Sequence, residues 1–368
     1  IMMMSRILQA IGNGILISMA QVILLTIYPM DRIGAIMGWY GLSITAAPVI
    51  APTLAGMIVD KLNWHAIFYI VGAIVFVSLI WALNVFEDVL DVTKKKFDLL
   101  SFLLSAVTFG GFTLGFGNLG TYGFASLPVL GALLIGLIGG ILFAHRQMKA
   151  AVPFLDLRVL KTKEYALSVF GSILLYLVLM GSSMLMPLYV QSILGKSATI
   201  SGLVVLPGSL VSAFLSPIAG RIYDKVGIRI ITIIGGSSLV LSNIGMFFIH
   251  IHTGIWMAVC LNILRCAATG CLLMPFVTWG NKNIPPELTA HGTALLTSLR
   301  TVAGAIGTAV FVGIMNTVAR NSHTLTGSAA LLHGMNVSFL VMTVASGLLL
   351  FTGLFLIKDS RTEVLIEV

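Results

Sequence analysis

The chain has 368 residues with 21 Lys+Arg against 13 Asp+Glu, only 9% charged residues in all, while 58% are hydrophobic and mean hydropathy is +1.05. Ordinary globular domains carry roughly 25% charged residues, so this composition excludes a water-soluble fold and makes lipid the main solvent. The three cysteines, Cys260, Cys266 and Cys271, share one apolar stretch without a CxxC spacing. They give no disulfide framework and no metal site.

Crossing a bilayer core in helical form takes roughly 20 mainly apolar residues. In chain order such stretches fall at 2–27, 33–59, 64–86, 97–119, 124–144, 165–190, 199–219, 228–250, 255–279, 290–315 and 335–357. They are too long and too evenly apolar for barrel strands, whose pattern would alternate. An all-α polytopic membrane protein of eleven spans is predicted.

The basic residues divide unequally between alternate connections. Arg32, Lys94 to Lys96, Arg146, Lys149, Arg158, Lys161, Lys163, Arg221, Lys225, Arg229, Lys282, Lys358 and Arg361 fall on one side, and Lys61, Lys196 and Arg320 on the other. Cytoplasmic loops carry the excess of Lys and Arg, so the first set and the C-terminus are expected inside. The net charge of +8 then reads as membrane topology, not as a nucleic-acid surface. Arg6, Arg265 and Arg300 remain within spans. The Ile-Met-Met-Met start has no charged leader, which predicts a chain that begins inside a span.

A charged side chain at the centre of a span costs about 2.5 to 3.5 kcal/mol on insertion scales and is tolerated mainly beside a polar cavity or partner. In the first span Arg6, Gln9 and Asn13 share a helix face. The ninth span repeats the idea with Asn262, Arg265 and Thr269. The arginines point to a cavity, whereas Asn13, Asn243 and Asn262 could equally make helix-to-helix hydrogen bonds. The second span carries Pro48 and Pro52 among Ala47, Ala51, Ala55 and Gly56, a pattern for a bent helix that packs closely. Gly220-Arg-Ile-Tyr-Asp224-Lys225-Val-Gly227-Ile-Arg229 reads as a basic turn with an acid before a helix start, where an anion suits the helix dipole. A weak internal repeat relates Arg6 to Arg265 and Pro29-Met-Asp-Arg32 to Pro286-Glu287 at offsets near 256 to 259 residues, a common plan in transporters.

These patterns resemble the major facilitator superfamily, in its bacterial branch of fourteen-span drug:proton antiporters. Arg6-Ile-Leu-Gln9-Ala-Ile-Gly12-Asn-Gly14 is similar to the family's fourth-span motif, and Ala47-Pro48-Val-Ile-Ala51-Pro52-Thr-Leu-Ala55-Gly56, with Gly41 upstream, to its fifth-span antiporter motif. Ala51 and Ala55 stand where glycine is usual. Pro187-Leu-Tyr189-Val-Gln191 with Gly195, Ser197, Gly202 and Pro207 resembles the stretch joining spans nine and ten. Gly220 to Arg229 resembles the second-half copy of the cytoplasmic gating loop, and Gly304-Ala-Ile-Gly307-Thr-Ala309 is a fifth match.

The resemblance implies a major facilitator fold with eleven of fourteen spans present. Residues 1–86 would be the remainder of the N-terminal half, 87–164 two inserted spans, and 165–368 the C-terminal six-helix half with a short cytoplasmic tail. It implies export of hydrophobic or cationic small molecules across a bacterial cell membrane by proton antiport with alternating access, without cofactor, metal or enzymatic activity. The cavity would take Arg6, Gln9, Asn13, Tyr176, Met180, Met184, Asn262 and Arg265; the cytoplasmic gate would use Gly220, Asp224, Lys225, Gly227 and Arg229. The methionines could instead only fill gaps between helices. A cargo such as a metabolite, siderophore or amino acid stays open, and an intramembrane enzyme is disfavoured by the lack of clustered titratable groups. No acid falls mid-span, so proton coupling is expected to need a carboxylate from spans upstream, and the chain alone should not couple to a proton gradient.

Overall fold

The computed structural model describes residues 2–29, 32–85, 98–122, 126–150, 153–251, 253–322 and 325–357. Among these the chain is helical throughout: α1 Met2–Ile27, α2 Ile33–Lys61, α3 Trp64–Val85, α4 Leu99–Gly117, the short α5 Leu119–Tyr122, α6 Leu127–Lys149, α7 Lys163–Leu188, α8 Ala198–Val226, α9 Ile228–Phe247, α10 Ile255–Lys282, α11 Thr289–Arg320 and α12 Gly327–Phe351. Ten helices are long and apolar enough to cross a membrane, and α2 adds the apolar stretch Ile33–Ile44. In lipid, a helix pairs all of its interior backbone groups within itself.

Two boundaries differ most from the predicted spans. α8 runs on through Gly220, Asp224 and Lys225 to Val226, and only Gly227, at φ +84 and ψ −179, separates it from α9. The predicted basic turn is therefore the last turns of a helix, which side-chain charge did not interrupt. Only the glycine breaks it, because that backbone region is essentially closed to other residues. α12 begins at Gly327, eight residues before the predicted 335, because Ala329 to Leu332 prolong its apolar face.

Helices α7 to α12 form one body in which α7 packs on α11, α8 on α10, α9 on both α10 and α12, and α11 on α12. Against it, α2 lies along α8 and touches α10, while α1 leans on α11. α4 and α6 make a separate pair that reaches the body through α4 and α11. Small residues set these spacings: a Cβ at Gly111 of α4 would lie 2.6 Å from Gly136 Cα of α6, and one at Gly38 of α2 would lie 2.7 Å from Ser216 O of α8. Helices pack in lipid by such close approach because no hydrophobic force drives them together there. α3 turns Ile74, Phe76, Trp81 and Leu83 outward, as suits a helix facing lipid.

The basic ends of α2, α4, α6, α7, α8, α10 and α11 are tied by polar contacts. Arg146 Nη2 lies 3.1 Å from Asp98 Oδ1, and Gln147 accepts from Leu155 N–H at 3.0 Å. Tyr165 O–H donates to Gly292 O at 2.7 Å. Asp98 caps α4, and the Ser101 hydroxyl, the Ser101 N–H and Arg146 together hold its carboxyl at about 2, below the usual 3.8.

Candidate functional site

Among the described residues, two places bring α1 and α2 into polar contact with the α7 to α12 body, one at the basic ends and one deeper in the span. The first is the crossing of α2 and α8. Asp224, in the last turn of α8, accepts from Gly34 N–H at 3.1 Å and from Ala35 N–H at 2.9 Å. These N–H groups belong to the first turn of α2, where a helix has no internal acceptor and carries its positive dipole end. The carboxylate therefore caps a helix 190 residues away, and not the start of its neighbour α9 as the sequence predicts. Gly34 leaves room for Asp224 and Tyr223; a Cβ at Gly220 would run into Gly34 O. One and two turns further in, Ser216 donates to Gly38 O at 3.0 Å, and Gly41 lies against Ser216 and Met274. Met37, on the same face, is fully buried. Lys225 is exposed, and Arg229 donates to Leu354 O at 3.3 Å, behind α12.

The second place is a buried cluster at the end of that seam. Arg300 of α11, 3% exposed, stacks its guanidinium over the Tyr176 ring of α7 at 5.2 Å. Thr297, one turn earlier, donates to Gln21 Oε1 of α1 at 3.2 Å. Tyr40 of α2 donates to Ile17 O at 3.1 Å and lies beside Gln21, within electrostatic range of Arg300 and Tyr176. Arg300 Nη1 is buried without an acceptor. Arg300 stands about 16 Å along α11 from its basic end at 1.5 Å per residue, so the cluster is deep in the span.

The sequence-predicted cavity residues separate into three groups. Tyr176, Met180 and Met184 follow one another at four-residue spacing on α7, from half-buried to exposed, and Met180 packs against Gly304 of α11. Arg6, Gln9 and Asn13 lie on the exposed part of α1: Arg6 donates to Gln9 Oε1 at 3.0 Å and stacks over Phe68 of α3 at 5.5 Å. Asn262 and Arg265 are buried inside the α7 to α12 body, Arg265 donating to Asn262 and facing the Phe339 ring of α12 at 5.8 Å, with Gly208 of α8 beside Asn262. The antiporter-motif residues Pro48, Pro52 and Gly56 fall in α2, and their side chains lie outside the described residues.

Sequence reasoning did not assign Arg300, Gln21, Tyr40 or Thr297. A signal for Arg300 was present: it stands four and seven residues before Gly304 and Gly307, on the α11 face that meets α7. Among the described residues no group of three or more His, Cys, Asp or Glu could hold a metal ion.

The Major Facilitator Superfamily model matches residues 1–308. The MFS-type transporter YcnB of Bacillus subtilis is 38% identical over 344 residues, covering 94% of this chain and 73% of that protein. The lincomycin resistance protein LmrB of the same species is 36% identical over 315 residues, covering 84% of this chain and 65% of that protein. The multidrug resistance protein Stp of Mycobacterium tuberculosis is 25% identical over 268 residues, 72% of this chain and 49% of that protein.

Proposed function

The chain belongs to the major facilitator superfamily, and on that premise we propose that it is part of a secondary transporter of the fourteen-span branch that exports lipophilic small molecules by proton antiport. Residues 1–86 are the remainder of the N-terminal half, 165–368 the C-terminal six-helix half with its short tail, 87–164 supply the inserted pair, and the basic ends with the C-terminus face the cytoplasm of a bacterial cell.

The observation that carries this reading is the distribution of contacts between α1 or α2 and the α7 to α12 body. At the basic ends the two sides meet through Asp224 and the start of α2, through Gly34 and Gly220, and through Gly38 and Ser216. Farther along, residues 4–16 of α1 and Met184 of α7 are exposed. A seam closed at its basic end by paired polar groups and small residues, with further polar groups beyond the closure, suits one state of an alternating-access cycle. The drug-resistance names of LmrB and Stp support a lipophilic cargo. Proton coupling rests on family resemblance alone, since no acid occupies the middle of any span.

The test is efflux. Cells deprived of their own exporters and expressing the protein from its complete reading frame should lose a preloaded lipophilic dye faster than vector controls, and a protonophore should abolish the difference. Equal dye retention with the protein present in the membrane overturns export; protonophore-insensitive efflux overturns antiport.

A further inference from the structure

We propose that the buried cluster around Arg300 binds the acidic group of an amphiphilic organic anion, with the hydrocarbon part lying along Tyr176, Met180 and Met184. This names a substrate class for the proposed transporter and rests on that reading.

The cluster is built from donors and a cation. Arg300 Nη1 is a buried N–H group without an acceptor, and the Tyr40 and Thr297 hydroxyls already donate to Ile17 O and Gln21 Oε1. All thirteen acids of the sequence lie in loops, in tails or near span ends, so no carboxylate from a span interior neutralises the guanidinium. A buried charge left without a counter-ion is strongly unfavourable, and an intramembrane ionisable group usually marks a substrate or ion pathway. Arginine presents a planar fork that matches a carboxylate with two parallel hydrogen bonds. One face of Tyr176 is already taken by Arg300 at 5.2 Å, so a cationic ligand would meet an occupied ring and a like charge. The half-buried Met180 and exposed Met184 continue from Tyr176 along α7, away from its basic end, and methionine adapts to varied apolar shapes.

The acidic group could come from a bound molecule or from a carboxylate of the protein outside the described residues, and one experiment separates them. Binding of 11-(dansylamino)undecanoic acid and of its primary amide to the purified full-length protein in nanodiscs is followed by dansyl fluorescence. The acid should bind roughly tenfold or more tightly than the amide, as a charge-assisted pair requires. Arg300→Gln should erase the preference, Arg300→Lys should keep part of it, and Arg320→Gln, at the exposed far end of the same helix, should leave it intact. Equal affinities in the unmodified protein, which is the result expected if a protein carboxylate fills the cluster, overturn the proposal, as does a preference that survives Arg300→Gln. Because binding needs neither a gradient nor turnover, an Arg300-dependent preference without efflux would refute transport alone, and efflux without the preference would refute this site alone.

Discussion

Asp224→Asn is the sharpest perturbation of the α2 and α8 crossing, because it keeps the side chain's shape while removing its charge. In the native pair the two carboxylate oxygens accept from Gly34 N–H at 3.1 Å and Ala35 N–H at 2.9 Å. Asparagine retains one acceptor and turns an NH₂ toward the other N–H. The lost charge-assisted hydrogen bond is worth about 1.5 to 3 kcal/mol, and the lost charge at a helix N-terminus about 0.3 to 1 kcal/mol. Asp224 is only half-buried, so the low ends apply, near 2 kcal/mol in total, or roughly a 30-fold shift toward an open crossing. The assay is thiol labelling from the basic side. With Cys260, Cys266 and Cys271 replaced, Met37→Cys places a reporter at a fully buried position of the seam. A membrane-impermeant maleimide should react with it about 30-fold faster in the Asp224→Asn background. A second reporter at Met335, buried inside the α7 to α12 body, should stay protected. Equal Met37 labelling would refute the capping account, and faster labelling at both positions would show general unfolding instead of a local opening.

Gly307→Ala should lower the melting temperature in detergent, since its Cβ would strike Leu177 O and overpacking costs about 1 to 3 kcal/mol. Gly313→Ala, six residues on in open space, should be neutral or stabilising, and equal effects at the two sites would refute the packing argument. Asp98, held at about 2, contributes stability that is fully present above its ordinary 3.8 and is lost as pH falls toward 2. Hydrogen exchange at residues 98–104, corrected for intrinsic rate, should therefore be unchanged from pH 7 to pH 5, and loosening in that window would refute the assignment. Lys161→Cys should label only from the cytoplasm, as the basic connection around it requires; labelling from outside intact cells would invert the topology.

The helices were legible because apolar runs of span length have few alternatives in lipid. Their ends were less so: at Gly220 to Val226, glycine and charge mimic a turn while the backbone stays helical. Interior polarity was legible as polarity but not as partnership. Arg6, Arg265 and Arg300 look alike in a hydropathy profile, yet one lies exposed beside Phe68, one is enclosed with Asn262 and Phe339, and one faces two helices from the other side of the seam. Those environments depend on contacts spanning up to 276 residues, which no local spacing encodes. Asp224 shows the same limit: its suitability for a helix start was readable, but which helix it caps was not.

The one-residue join at Gly227 has a mechanical consequence. α8 carries the contacts to α2 and is packed on α10, α9 is packed on α10 and α12, and no slack chain lies between them. If α8 tilts away from α2, its end pulls directly on α9 and so on the remainder of the body. Packed on α10 and joined to α9 by one residue, α8 is a lever fixed to its load. Release of Asp224 from α2 would thus be felt at α12 through α9, by rigid displacement and without any helix having to unwind.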